Sequence, residues 1–264
     1  MDGGVGVTRG VNRLLDALSA AQSQRLRPSL RPVFLDVHTV LFEPGEIIDF
    51  VDFPRTCVVS LVTLFQDGIT VEVATVGNEG IVGVPMVLDG SLAVRAIASM
   101  AGWVDRMDAS IFLNEVKADR GLDELVDDYV RALFGEIAQA AACNRLHSNE
   151  ARLSRWLLMS ADRVGTNDFA VTHEFLGQML GSRRATVTLS AEKMRIAGLI
   201  SYHRGQVSIL DRPGLEAVAC ECYEVIKTAL DGVVQRALRG SATSCWASAG
   251  ESADLEDADS AGDD

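Results

Sequence analysis

The sequence predicts an α+β fold built from three successive parts: an N-terminal antiparallel β-roll of the jelly-roll type, one long helix, and a C-terminal unit of short helices and a hairpin. Short β-rich runs separated by turn residues occupy residues 33–112, and apolar residues recur at helical spacing from residue 121 onward. The chain of 264 residues is long enough for more than one hydrophobic core, so we expect at least two domains.

The N-terminal segment precedes the β-rich region. Leucines between Asn12 and Leu30 predict short helices that pack beside the roll, and Pro28 and Pro32 mark their exit. The strand-like runs that follow are 33–35, 39–42, 57–64, 70–76, 94–98 and 103–107. Many short strands at this spacing are typical of an antiparallel roll and not of a parallel α/β sheet.

A long helix is predicted over residues 121–147. Its apolar residues recur at three- and four-residue steps and are Leu122, Leu125, Val126, Tyr129, Leu133, Phe134, Ile137 and Ala140. About 25 residues at ~1.5 Å each give a rod of about 38 Å, which could pair with the same helix of a second copy. The helix could equally pack against its own roll, and the two uses are compatible.

The C-terminal unit begins with a helix over residues 151–163 and continues with two short helices. Thr172 is the expected N-cap of the first short helix, Gly181 ends it, and Ser182 is the expected N-cap of the second. In the second short helix we expect an inward face made of Val187, Leu189, Met194 and Ala197. The opposite side then carries Arg183, Arg184, Thr186 and Thr188.

Two strand-like runs, 199–202 and 206–210, flank the tripeptide His203-Arg204-Gly205. A helix pair followed by a hairpin with a basic tip predicts a winged helix-turn-helix, in which one helix enters the DNA major groove and the wing contacts the backbone or minor groove. The helix pair alone would more often be an ordinary helical hairpin, so the wing decides the interpretation. The candidate DNA-binding residues are Thr172, Ser182, Arg183, Arg184, Thr186, Thr188, His203 and Arg204.

Charge is unevenly distributed. The net charge of −13 opposes binding to DNA when it is read over the whole chain. Residues 145–212, however, hold ten basic and six acidic residues, a local excess of four positive charges. From Glu251 the chain has seven carboxylates and no cation, and we expect the acidic tail, residues 231–264, to be disordered and solubilising.

The cysteines do not form a recognisable metal motif. The five, which are Cys57, Cys143, Cys220, Cys222 and Cys245, lack paired CxxC spacing. Two cysteines two residues apart diverge on a helix, so we expect reduced thiols, no metal site and no cofactor. Because no apolar run reaches the roughly 20 residues that span a bilayer and no signal sequence is evident, we expect a cytoplasmic protein without a membrane partner.

Several motifs occur in an order that resembles the Crp/Fnr family of bacterial transcription regulators. They are residues 41–46 (LFEPGE), the strand pair around residues 67–68, residues 77–80 (GNEG), the long helix and the winged unit. The resemblance implies a cyclic-nucleotide-binding-like roll (12–118), a dimerisation helix (119–147), a winged helix-turn-helix (148–230) and the tail (231–264). It also implies a homodimer that binds double-stranded DNA, and RNA polymerase is a further partner of family members that activate transcription.

The resemblance also places an effector pocket in the roll. Nucleotide-binding members have an acidic residue for the ribose and an arginine for the cyclic phosphate, whereas this chain has Val82-Gly83-Val84-Pro85 at the first position and Arg95 within a strand. We therefore expect a sensor-like roll that does not bind cyclic AMP. The pocket candidates are Gly77, Asn78, Glu79, Gly80 and Gly83, although the sequence favours turn and bulge roles for them.

The recognition helix of the family commonly reads Ser-Arg-Glu-Thr-Val, with a further arginine four residues after the Glu. Aligned through Thr186-Val187, Arg184 keeps the guanine-reading position, whereas Ala185 and Leu189 replace the two other polar positions. We expect DNA binding at an operator unlike the family's common half-site. The alternatives are a regulator gated by a nucleotide or other small molecule and, remotely, a cupin-type enzyme. Cupin chemistry needs several histidines and only His38 lies in the β region, so we expect no enzymatic activity.

Overall fold

The N-terminal strands form two antiparallel sheets. The computed structural model describes residues 10–66, 69–84 and 93–250, of which 240–250 are described without side chains. One sheet has the order β1-β7-β3 and consists of Arg31–Leu35, Gly102–Asp108 and Phe50–Pro54. The other has the order β2-β6-β4-β5 and consists of Val40–Phe42, Arg95–Met100, Val58–Leu64 and Thr70–Val76. The predicted roll is confirmed; the turn at residues 67–68 lies outside the described residues.

Among the described residues, β3 is the one strand of the roll that the sequence reasoning missed. Its run contains Asp52 and Pro54, residue types that usually indicate a turn. Asp52 is nevertheless 2% exposed, because Arg106 on the neighbouring strand donates to both of its carboxylate oxygens, at 2.7 and 2.8 Å. A charged partner across the sheet therefore makes an acidic residue compatible with the interior.

Short helices cover the edge of the roll, as predicted. They are α1 (Arg13–Asp16), α2 (Ala20–Leu26) and a 3-10 turn at Arg27–Ser29. The amide of Asn12 holds this cover to the roll: its oxygen accepts from the backbone of Leu14 and Leu15, and its nitrogen donates to the carbonyls of Pro54 and Gly80.

The long helix is α4 (Arg120–Leu146), and a shorter helix, α3 (Ala109–Ala118), leads into it. The Asp119 side chain caps α4 by accepting from the backbone nitrogen of Leu122. Leu122, Val126 and Tyr129 are buried on the side that faces the roll, whereas Phe134 is 71% exposed on the other side. The apolar residues that share a helical spacing therefore divide between two faces.

The C-terminal unit has the predicted winged architecture. It consists of α5 (Asn149–Val164), β8 (Asp168–Ala170), α6 (His173–Met179), α7 (Arg184–Ile196), β9 (Ile200–His203) and β10 (Gln206–Ile209). The hairpin is joined by a third short strand, β8, in the order β8-β10-β9. Three residues flanked by turns carry too little pattern for β8 to be recognised from the sequence.

Two details of α7 differ from the prediction. Ser182 is not the N-cap; Arg183 occupies that position, and the Ser182 hydroxyl donates to Asn149 of α5 instead. Leu189 and Ala197 do not face inward, since Leu189 is 66% exposed and Ala197 is also exposed. The inward face is made of Val187, Ser190, Ala191 and Met194, which keeps a regular helical spacing.

The end of the chain also differs. The apolar spacing of residues 214–230 predicts one helix. In the structure, α8 (Arg212–Val218) is followed by an extended residue, Ala219, and then by α9 (Cys222–Gly250). The predicted tail boundary at 231 is therefore wrong: Val233 and Val234 are buried, and α9 runs antiparallel along α4. The acidic stretch from Glu251 lies outside the described residues. No helix among the described residues is long and apolar enough to cross a membrane.

Candidate DNA-binding site

The angle between α6 and α7 is set by a tight turn. The Thr172 hydroxyl caps α6 by accepting from the backbone nitrogen of Phe175 at 3.1 Å, and Gly181 leaves the helix with a φ of +57°. Gly177 allows the turn to fold back closely, because a Cβ at this position would lie 2.9 Å from the carbonyl oxygen of Ser182. The turn therefore holds α6 and α7 close together, while the outer side of α7 is exposed.

The outer side of α7 carries the residues that the sequence assigned to base reading. Arg184, Ala185, Thr188 and Leu189 are all exposed and follow one another at helical steps along a single face. The Arg184 guanidinium lies 3.8 Å from the Glu174 carboxylate, and both side chains are more than 60% exposed. An exposed ion pair of this length contributes little, so Arg184 is available to another acceptor.

A polar cluster connects α6, α7 and the wing. The Thr188 hydroxyl donates to the carbonyl of Arg184 and lies 3.0 Å from Nδ1 of His173. The His173 ring stacks on Tyr202 with centroids 4.1 Å apart, and the Tyr202 hydroxyl donates to the carbonyl of Val171. Partial burial and the charge of Arg184 lower the pKa of His173, which favours its neutral form. The sequence reasoning missed His173, because a lone histidine in a first helical turn has no distinguishing pattern.

The wing tip is a two-residue turn. Arg204 and Gly205 both have positive φ, at 50° and 79°, and His203 pairs with Gln206 across the hairpin. His203 and Arg204 are exposed at this tip. Six of the eight candidate DNA-binding residues are therefore exposed; Ser182 and Thr186 are partly buried, and Ser182 is engaged with α5.

Not all of the local positive charge faces solvent. Arg152, Arg155 and Arg163 of α5 are 7%, 7% and 3% exposed, so three of the ten basic residues between 145 and 212 lie inside the protein. The exposed cations at the recognition turn and the wing are Arg183, Arg184 and Arg204. The positive charge that is exposed to a DNA backbone is therefore smaller than the local excess counted from the sequence.

The turn assigned to an effector pocket packs against α5. Arg163 donates to the Glu79 carboxylate at 2.7 Å, and the Asn78 amide donates to the carbonyl of Asp162 at 3.4 Å. A Cβ on Gly77 would lie 2.4 Å from Arg163, and one on Gly80 would lie 2.5 Å from a tyrosine hydroxyl of α4. Gly77, Asn78 and Glu79 therefore belong to one of the contacts between the roll and the C-terminal unit, and Gly80 packs against α4.

The remaining positions of the predicted nucleotide pocket lie in the roll. Gly83 is buried with a φ of +96°, and a Cβ there would lie 2.8 Å from the carbonyl oxygen of Phe50. Arg95 lies in β6, as predicted, and pairs with Glu43 at 2.8 Å. The Arg95 guanidinium is thus already paired with a carboxylate. Pro85 and the residues up to 92 lie outside the described residues, and the effector pocket stays a prediction.

Comparisons with known proteins agree with this geometry. Residues 151–218 match the Crp-like helix-turn-helix domain. The fold is similar to FixK2 of Bradyrhizobium japonicum (15% identity, 72% of this chain and 98% of that one, TM-score 0.60). It is also similar to a CRP-family transcriptional regulator of Thermus thermophilus (20% identity, 71% of this chain and 96% of that one, TM-score 0.60).

A third similar structure is the c-di-GMP-responsive global regulator CLP of Xanthomonas campestris (13% identity, 72% of this chain and 99% of that one, TM-score 0.57). Among curated proteins no sequence match was found. The chain therefore carries a Crp-like helix-turn-helix domain within the fold of the Crp/Fnr family of transcription regulators.

Proposed function

We propose that the protein is a homodimeric, sequence-specific DNA-binding transcription regulator in which α7 reads the major groove. The observation that carries this proposal is the exposed N-terminal face of α7, where Arg184, Ala185, Thr188 and Leu189 project beside the wing. The free backbone amides and the positive dipole end of a helix favour the approach of phosphates. Arg184 is then placed to donate to a guanine edge, while Arg204 reaches a phosphate from the wing.

The second part of the proposal is a dimer through α4. On the side of α4 that faces away from the roll, Phe134 is 71% exposed, and a Cβ on Gly135 would meet no atom within 4 Å. Ala138 and Ala142 continue this face and are exposed. One large apolar residue beside small ones suits close packing against a second copy of the same helix. Two α7 helices would then read half-sites related by two-fold symmetry.

The DNA-binding part of the proposal is tested by selecting genomic fragments and measuring affinity by gel shift at moderate salt. Arg184→Ala should weaken binding by about 5- to 150-fold, the equivalent of losing about 1–3 kcal/mol of base contact, and should relax specificity at one base pair. Arg195→Ala is the matched control, since it removes the same charge from the last turn of the same helix, where Arg195 already pairs with Glu192 at 2.7 Å. Loss of footprint specificity in both variants, or in neither, would contradict the proposed reading face.

The dimer is tested separately by sedimentation. Phe134→Glu places a charge on the exposed face of α4 without touching the buried one, so it should produce a folded monomer that binds DNA more weakly than the parent chain. A variant that remains dimeric would show that another surface pairs the two copies.

The alternative is a regulator that is gated by a small molecule other than cyclic AMP. The pairing of Arg95 with Glu43 argues against cyclic AMP, because the arginine would have to exchange a carboxylate for a phosphate. Calorimetry is expected to give no heat on titration with cyclic AMP, and a measurable heat would reopen the nucleotide pocket.

A further inference from the structure

Three cysteines and one histidine, distant in sequence, converge at the joint between α4 and the α8–α9 corner. The Sγ atoms of Cys143, Cys220 and Cys222 and a ring nitrogen of His147 all lie within 4.8 Å of one another. Cys143 and Cys220 have their sulfurs 3.5 Å apart, and the Cys222 sulfur lies 3.5 Å from Nδ1 of His147. The three thiols are at most 6% exposed.

The convergence depends on a break that the sequence reasoning did not foresee. Cys143 and His147 are four residues apart at the end of α4, so they share one side of the chain there. Cys220 and Cys222 would diverge on a continuous helix, but Ala219 is extended and α9 begins only at Cys222. The chain therefore turns between the two cysteines, and both thiols face α4. The prediction that they diverge is wrong.

We propose that these four side chains bind one zinc ion as a closed, tetrahedral Cys3His site. With Zn–S and Zn–N bonds of roughly 2.3 and 2.0 Å, tetrahedral ligand atoms lie roughly 3.5–3.8 Å apart. The two 3.5 Å separations already match that geometry. Three soft thiolates and an imidazole favour zinc over magnesium, calcium or manganese, and four protein ligands leave no position for substrate.

The surroundings of the cluster orient its ligands as they are oriented around structural zinc. The Nε2 of His147 lies 3.2 Å from the Glu221 carboxylate, which holds the ring with Nδ1 directed at Cys222. The Gln139 amide donates to the Cys222 sulfur at 3.1 Å. A carboxylate behind a ligating histidine and a donor to a ligating sulfur are the usual partners of metal ligands.

The electrostatic environment also suits the site. Three thiolates around a divalent ion leave one net negative charge, which costs free energy in the interior unless a cation compensates it. Two cations of α5, Arg152 and Arg155, lie near the Cys143 thiol. Both are buried, and neither Nε atom has a hydrogen-bond partner within the described part of the chain. They can therefore balance the charge of a zinc–thiolate centre.

The first experiment measures zinc in the full-length chain purified under reducing conditions with zinc in the medium. Elemental analysis should give one zinc per chain, and exchange with Co²⁺ should give thiolate-to-cobalt charge-transfer bands and the visible bands of tetrahedral cobalt. Protein without zinc after this treatment, or protein that contains iron instead, would overturn the assignment. A Cys143–Cys220 disulfide found by mass spectrometry in zinc-free protein would overturn it as well.

Variants then locate the ion. Cys222→Ser and His147→Gln should each lower the zinc affinity, with circular dichroism used to select variants that retain the helical content of the parent. Cys57→Ser is the matched control: it alters a buried thiol in the roll, and a serine can keep the bond that this thiol makes to the carbonyl of Met100. Zinc content unchanged in the two cluster variants, or lost equally in the control, would contradict the site.

Glu221→Gln removes no ligand, so it tests the site without risk to its assembly. Loss of the carboxylate behind His147 should lower zinc affinity by about 10- to 100-fold in a competition titration with a chromogenic chelator. An unchanged affinity would contradict the role of the Glu221 charge as the partner of a ligating His147. None of these measurements uses DNA, so they succeed or fail independently of the proposed regulatory function.

Discussion

Replacement of Arg163 by methionine is expected to destabilise the protein strongly. The guanidinium of this residue donates to Glu79 at 2.7 Å and to the two carboxylate oxygens of Glu136 at 3.3 and 3.1 Å. The three side chains are 4%, 6% and 3% exposed. Glu136 has further support from the backbone nitrogen of Thr75 at 3.0 Å, whereas one oxygen of Glu79 has no hydrogen-bond partner among the described residues. Removing the arginine would leave two carboxylates without their cation in the interior.

The expected magnitude follows from that geometry. Removing one partner of a buried ion pair typically costs about 3–5 kcal/mol, because the remaining charge is desolvated and unpaired. Methionine fills much of the volume of the arginine stem, so the cost is mainly electrostatic. Urea unfolding at neutral pH should therefore show a lower midpoint for Arg163→Met with an unchanged slope.

Two comparisons make the experiment decisive. Arg163→Met combined with Glu79→Gln and Glu136→Gln removes all three charges, and should recover most of the loss. Arg131→Met removes a cation that is 67% exposed and pairs with Asp128 at 2.6 Å, so its unfolding midpoint should stay close to that of the parent chain. A single variant as stable as the Arg131→Met control, or a triple variant no more stable than Arg163→Met, would refute the electrostatic reasoning.

Two further predictions concern pH and operator choice. Burial raises the pKa of Glu72 from 4.5 to about 7, although Ser60 donates to its carboxylate. The contribution of Glu72 to the stability of the folded state is thus fully present below pH 4.5 and is lost as pH rises through 7. Glu72→Gln should stabilise the chain by about 2 kcal/mol more at pH 8 than at pH 5 in urea unfolding, and an effect independent of pH would contradict the shift. Ala185→Glu with Leu189→Arg should move fragment selection toward the common half-site of the family, and an unchanged preference would show that α7 docks in another register.

The parts of the fold that the sequence predicts are those with a local pattern. The strands of the roll are short runs of apolar and β-branched residues between turn residues, and the wing consists of two strand-like runs around Arg204-Gly205, whose glycine suits a positive φ. Strand β3 lacks such a pattern. Its Asp52 can be buried because Arg106, from a strand more than 50 residues away, donates to it. The predicted burial of Leu189 is wrong for a related reason. An apolar residue on a short helix indicates burial, unless the surface on which it lies has a function of its own.

The cysteine cluster shows where local reasoning ends. The separation of 77 residues between Cys143 and Cys220 carries no motif, and their contact needs both the break at Ala219 and the return of α9 along α4. Neither feature follows from spacing. Sequence reasoning that assumes a continuous helix between Cys220 and Cys222 reaches the opposite conclusion.

Helix α5 connects two buried polar centres, the cysteine cluster and the ion pairs of Arg163. Near its start, Ala151 packs against the cysteine cluster, and at its end Arg163 joins the roll and α4 through Glu79 and Glu136. Because α5 is the first helix of the DNA-binding unit, these two attachments, together with the hydrogen bond from Trp156 to Glu72, help to set how that unit sits on the rest of the protein. Charge on Arg163 and metal at the cysteines would thus control the same orientation from opposite ends of one helix. A change at either centre should alter the position of α7 without any change in α7 itself.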